Sequence, residues 1–384
     1  MYTFTSNLKK HEYDKFVENY PMASFMQEYE WANIKDNWGN FHCGLYKEEK
    51  LVAVCMILVK TVFKNIKLFY IPRGYLIDFN NLEDLTEMTQ QIKLLAKQNH
   101  AYVVKIDPNF CISDNSFKDE EVEHNYSKDY EIKHNNLIKL GYEHTGINKD
   151  LHTNLQPQYN IFAPICDKNS KILSVDEILK NYKSKFKYYL GNFHEKRGVT
   201  FEITDDLNKL DKFVELLRIT EKKQNISLRN KEYFVKILNN FQGRSYLFFG
   251  SINLDKYLNF LKENNGKEEE IEEVIRIMEE SGNNITLSTG LLLLPKNKKG
   301  IRTSEYLYAG NSFLFNKLNI SAGLVFEMIK FSMENNCHYC NLGGVDGNLN
   351  DHLTTFKQKF NGRIMEFAGE YDLPVSWLYY PIKI

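Results

Sequence analysis

Twice along the chain, helices give way to a strand pair, a further helix and a strand, once across residues 10–108 and again across 175–347. That recurring order constrains the fold more than any single motif. In the first pass, residues 10–20 and 23–36 read as helical, and 42–47 and 51–62 read as strands. The run Leu51–Val59 is β-rich and nearly continuous. Residues 81–100 put Leu85, Met88, Ile92, Leu95 and Ala96 on one helical face, and a strand from Ala101 closes on Asp107. In the second pass a helix is expected from Val175 to Lys196, followed by a strand from Val199 to Ile203. Helices follow at 207–224 and 230–240, then strands at 244–252, 284–294 and 306–310, and a helix at 322–335. No residue-level repeat accompanies the two passes, so a duplication rests on element order alone. Residues 109–134 are polar and charged and read as loop plus helix.

A chain of 384 residues is too long for one typical core, which points to two domains or one large one. The net charge of −1 gives no global pull toward nucleic acid, so DNA is not expected as a partner. Met1 to Phe16 is too polar for a signal peptide, and no apolar run approaches the ~18 residues a membrane span needs, so a cytoplasmic protein is expected. Cys337 and Cys340 form a lone CxxC without a second ligand pair, read as structural cysteines; no metal and no cofactor is implied.

Several separate stretches stand out, of which the last, an acidic hairpin, reads as a solvated insertion and is assigned no nucleic-acid contact. Near the C-terminus, Gly343-Gly344-Val345-Asp346-Gly347 is expected to turn after a short strand, because glycine takes positive φ cheaply. Phe356, Lys357, Lys359 and Phe360 then fall close together, a combination that would suit an anionic ligand, although on this stretch alone an ordinary amphipathic segment with solvated lysines is the favoured reading. Pro72-Arg73-Gly74 presents an arginine at a strand end, and Asp107 either faces a site or caps its turn. Between 181 and 200, five Lys or Arg and one Glu are interleaved with aromatics. Last, Leu254, Tyr257, Leu258 and Leu261, then Ile271, Val274, Ile275 and Met278, describe two amphipathic helices in a hairpin whose eight glutamates between 263 and 280 give an acidic outer face.

These pieces, in order, resemble the Fem aminoacyltransferases, which build peptidoglycan interpeptide branches. The matching segments are Phe25–Lys35, Tyr70–Gly74, Lys105–Pro108, Leu155–Pro157, the basic stretch 183–198, Tyr306–Gly310, Gly343–Gly347, Phe356-Lys357 and Gly369-Glu370. The resemblance implies an α/β (α+β) fold of two N-acetyltransferase-like (GNAT-type) domains of mixed sheets flanked by helices. The first would span 1–150 plus 369–384 and bind the precursor. The second would span 151–368, with the hairpin 254–281 inserted as an arm. It implies a monomer whose partners are aminoacyl-tRNA and UDP-MurNAc-pentapeptide or its lipid-linked form, met peripherally at the membrane surface.

Residue by residue, Lys35 matches the lysine that holds the precursor diphosphate. Lys185 or Lys187 matches a second-domain basic position, usually arginine, with the same role; lysine would hold phosphate as a point charge. Tyr189 is the neighbouring aromatic contact. Tyr102 and Asp107 match positions lining the precursor pocket. Arg73, counted with the substrate-binding residues, lies in the family's Pro-Arg-Gly turn, where a structural role comes first. Phe356 and Lys357 match the pair credited with stabilising the tRNA acceptor end and the tetrahedral intermediate. Aminoacyl esters are already activated, so positioning and oxyanion stabilisation carry the reaction, with Lys357 on the oxyanion and Asp107 one candidate base. One rival is an acetyl-CoA-dependent N-acyltransferase, but the sequence has no Gln/Arg-x-x-Gly-x-Gly/Ala pyrophosphate loop. The other is a non-catalytic precursor- or tRNA-binding relative.

Overall fold

The computed structural model describes residues 1–118, 121–151, 153–224 and 226–382. Two mixed sheets organise them. The first runs, in spatial order, Tyr2–Thr5, Gly39–Lys47, Lys50–Phe63, Ile66–Ile71, Ala101–Ile106, Tyr371–Pro374 and Glu143–His144. The second runs Val199–Thr204, Ser245–Asn253, Asn284–Leu293, Thr303–Asn311, Tyr339–Val345, Tyr159–Pro164, Arg363–Phe367, Cys111–Lys118 and Glu121–Glu123. The two sheets exchange strands: Cys111–Lys118 and Glu121–Glu123 hydrogen-bond into the second, whereas Tyr371–Pro374 returns to the first. Residues 383 and 384 of the 369–384 segment lie outside the described residues.

The halves are joined by a shared core. Tyr13, Val17, Phe25 and Trp31 from the N-terminal helical segments pack between Val54, Met56 and Leu58 of the first sheet and Phe213, Phe234 and Ile237 of the second half. The strand residues Leu247, Phe249, Leu291 and Leu293 close this core from the second sheet. Their alternate neighbours Phe248 and Leu292 face the opposite way, into a separate core with the Ile320–Glu334 helix. Glu28, 2% exposed, anchors the join by accepting from both terminal nitrogens of Arg244, at 3.0 and 2.5 Å.

Four expectations need correction. The helix expected over 23–36 is a single 3₁₀ turn, Phe25–Gln27, and one α-helical turn, Trp31–Ile34; Ser24 caps the first by accepting from the Met26 N–H. The expected helix Val175–Lys196 is broken into Val175–Lys180, Ser184–Leu190 and a 3₁₀ turn, Glu195–Arg197. Ser174 and Glu177 form a capping box that starts the first piece, and Gly191 ends the second. Residues 111–118 are a strand rather than a loop. Its polar sequence hides the periodicity, and the pairing comes from a partner some 250 positions away, as in Ile364 with Asn115. Finally, Gly343 and Gly344 do not turn the chain. They lie inside the Tyr339–Val345 strand, where the register slips between Asn341 and Gly344 and Gly343 takes φ +86°.

The hairpin forms, but on its second helix Ile277 packs in place of the expected Ile275, which is 40% exposed. Leu254–Glu263 and Glu268–Ser281 pack through Leu254, Tyr257, Leu261, Val274 and Ile277, and the Tyr257 hydroxyl donates to Glu270 at 2.7 Å. Cys337 and Cys340 are buried free thiols. No described helix is long and apolar enough to cross a membrane.

Candidate functional site

Lys357 sits on the His352–Gln358 helix, which Asp351 starts by accepting from the Leu353 and Thr354 N–H groups at 2.7 and 3.0 Å. The helix is seated by its aromatics: Phe356 lies edge-on to Phe360, which is fully buried. Lys357 is 6% exposed, and its ammonium donates to the Gly344 carbonyl at 2.8 Å. Burial pulls it down to about 7, with the Asp351 charge opposing. A cation held there by a single carbonyl keeps donor capacity for a developing oxyanion. Lys359 is exposed.

The second cluster lies at the C-terminal ends of the Ile66–Ile71 and Ala101–Ile106 strands. Arg73 takes φ +58°, its N–H donates to Asp107 Oδ1 at 2.8 Å, and its guanidinium lies 3.9 Å from Oδ2 and over the Phe367 ring at 4.5 Å. Burial pushes Asp107 up to about 6 against the Arg73 charge. Gln156, Pro157, Gln158 and Glu370 line a small pocket with them. Asp107 therefore holds its turn and also faces a pocket.

Arg73 also borders a larger cavity of about 80 Å³ between the halves. On its far wall is Glu305, a residue the sequence reading missed. Asn341 donates to Glu305 at 2.7 Å and accepts from the Gly343 N–H at 2.9 Å, which ties this carboxylate to the glycine pair beside Lys357. Burial pushes Glu305 up to about 7, against the Arg73 charge and the Asn341 amide. Its sequence signal was only the position before Tyr306.

Lys35 ends the Trp31–Ile34 helix, with its ammonium over the rings of Trp31 and Tyr233 at 4.9 and 5.4 Å. Arg229 lies over the same Tyr233 ring at 5.5 Å. Burial first, then the Arg229 charge, lowers Lys35 to about 8. Among the described residues neither cation has an ion-pair partner. Two unneutralised cations thus lie beside one ring, an arrangement whose chemistry suits an anion.

The structure does not bring Lys185 or Lys187 to Lys35. Both are exposed on Ser184–Leu190, whose Phe186 packs at 5.1 Å on Phe360 and joins the core that contains Phe248 and Leu292. Lys35 touches Tyr233, beside Phe234, on the opposite face of that sheet. Lys185, Lys187 and Tyr189 therefore flank the Lys357 helix side of the molecule. Tyr102 is buried with Val103 and Tyr379 under the C-terminal tail, five residues and roughly 16 Å of strand from Asp107. Among the described residues, no cluster of His, Cys, Asp or Glu suits a metal ion.

The FemAB family model matches residues 8–273 and 262–383. This chain belongs to the FemAB family. Proteins similar to this chain include the lipid II:glycine glycyltransferase of Staphylococcus aureus (strain bovine RF122 / ET3-1), 26% identical over 419 residues that cover 95% of this chain and 91% of that protein. The strain USA300 protein of the same name matches to the same extent. The crystal structure of FemX superposes with a TM-score of 0.79 at 24% identity, over the whole of both chains. A tandem GNAT protein from the clavulanic acid biosynthesis pathway superposes at 0.50 with 6% identity, over 98% of this chain and 99% of that one. The fold is accordingly α/β (α+β), two GNAT-like units of mixed sheet flanked by helices.

Proposed function

We propose that this protein transfers a glycyl or related aminoacyl group to the stem-peptide amine of a peptidoglycan precursor, with aminoacyl-tRNA as the donor. The observation that carries the reading is the buried Lys357 ammonium at the Gly344 carbonyl, in a FemAB chain whose relatives are named for glycyl transfer to lipid II. In this reading Lys357 holds the charge that develops on the ester carbonyl oxygen, and Phe356 backs the acceptor end of the tRNA. Lys35 and Arg229, rather than Lys185 or Lys187, hold the precursor diphosphate. Arg73 orders the precursor pocket, and Asp107 or Glu305 takes a proton from the stem-peptide ammonium, leaving the neutral amine to attack the ester carbonyl. The ester is activated by its tRNA, so no cofactor is required.

The test is incubation with mixed aminoacyl-tRNAs and, separately, the soluble and lipid-linked precursors, reading product mass. Precursor carrying added glycine is the expected product. Transfer from acetyl-CoA instead, or no transfer from any charged tRNA, overturns the reading.

A further inference from the structure

Chain pairing places three segments at one end of the first sheet. Gly39 pairs with Val59, Lys67 with Ala101, and Pro374 with Val103. The hairpin tip 60–66 and the tail 375–380 therefore lie about two strand spacings apart, on the side away from Arg73 and Asp107. Ile66 and Leu378 meet there against Tyr102 and Tyr379.

Large apolar side chains at this end point outward. Phe63 is 60% exposed, Trp377 76% and Tyr380 67%, with Val62 beside them. Lys60, Lys64 and Lys67 are interspersed, and Lys97 follows in the last turn of the Leu82–Gln98 helix. No acid occurs in residues 60–70, 93–105 or 375–384. Among the described residues none of these four lysines forms an ion pair. Lys60 lies over the Trp38 ring at 5.4 Å, and the Trp38 backbone N–H donates to the Lys35 carbonyl at 2.8 Å, so Lys35 lies one short turn from this end of the sheet, with Asp36 between them paired to Lys236.

Exposed aromatics among unpaired lysines are the chemistry of an interface between water and an anionic bilayer, with rings at headgroup depth and ammonium groups on the phosphates. We propose that this end of the first sheet docks on an anionic membrane surface, through Phe63, Trp377 and Tyr380 with Lys60, Lys64 and Lys67. The proposal deepens the functional reading, on which it rests only for the substrate. A precursor whose diphosphate sits at the lipid surface would meet Lys35 and Arg229 without leaving it.

The experiment is co-sedimentation of the full chain with phosphatidylcholine vesicles, with and without a quarter phosphatidylglycerol. Binding to the anionic vesicles that weakens with salt, with a blue shift in tryptophan emission, is expected. Phe63→Ser with Trp377→Ser should reduce binding at least tenfold, and each lysine changed to Gln about fivefold. These are surface positions, so transfer to soluble precursor should be unchanged while transfer to vesicle-borne precursor falls. Equal binding by wild type and variants, or none by wild type, overturns the proposal. So does a dimer in analytical ultracentrifugation that the Ser variants abolish, which would assign the patch to a second copy. Vesicle binding needs no turnover; binding without transfer would leave the patch standing and remove the functional reading alone.

Discussion

Between the described strands, each sheet contains one parallel pairing, and the two end differently. In the first sheet Ile66–Ile71 pairs with Ala101–Ile106 to the last residue of both, and the Arg73 N–H then closes the end on Asp107. In the second, Thr303, Ser304 and Glu305 pair with Tyr339, Cys340 and Asn341, and the pairing stops. Beyond that point the strands part, each keeping only its antiparallel neighbour, and Lys357 reaches the Gly344 carbonyl. A similar order of elements thus gives one closed end and one open end. The closed end neutralises its arginine internally. At the open end, among the described residues, no carboxylate lies within ion-pair distance of the lysine. Under the proposed function, that contrast puts the oxyanion donor at the open end and the ordered precursor pocket at the closed end, while the Lys35 and Arg229 cations come one from each half.

The sharpest break is Lys357→Met. If the open end performs the reaction, transfer should fall by roughly 10²–10³-fold, the cost of losing one oxyanion donor, with precursor binding intact. Single-turnover rates with charged tRNA measure this. Equal loss in rate and in precursor affinity would erase the division between the ends.

A smaller effect is expected from Lys35→Ala and Arg229→Ala. Each removes one cation from a site where two lie over Tyr233, so the precursor KM should rise about tenfold with kcat little changed. Lys185→Ala should leave KM unmoved. A rise in KM for Lys185→Ala and not for Arg229→Ala would return the diphosphate to the basic stretch of 183–198.

What the sequence disclosed follows from how local each signal is. Lys35, Asp107 and Lys357 stand in short segments whose neighbours carry the pattern, and the 254–281 hairpin announces itself by helical spacing. Arg229 and Glu305 were not legible, because each becomes significant only across a fold-level contact: Arg229 through a ring shared with Lys35, Glu305 through Asn341. The basic stretch misled for the same reason. Its composition is conspicuous, but the second sheet separates it from Lys35. The strand 111–118 was hidden because its partners lie near the far end of the chain.

The smallest effect is also the most discriminating, because the two ends should tilt stability in opposite directions with pH. Burial raises Asp107 to about 6 from an ordinary 3.8, so between these values the folded chain holds more protons than the unfolded one. Stability therefore falls as pH rises from about 4 to 6. Burial lowers Lys357 to about 7 from an ordinary 10.5, so between these values the unfolded chain holds more protons, and stability rises with pH. Each slope is at most about 1.4 kcal/mol per pH unit. Denaturant unfolding of wild type against Asp107→Asn should show the first slope lost, and against Lys357→Met the second. The same groups should give a narrow bell in the transfer rate, rising as Asp107 or Glu305 ionises near 6–7 and falling as Lys357 loses its proton near 7. A rate that keeps climbing above pH 8 would mean that Lys357 acts as a neutral amine, and the open end would then supply a base rather than a charge.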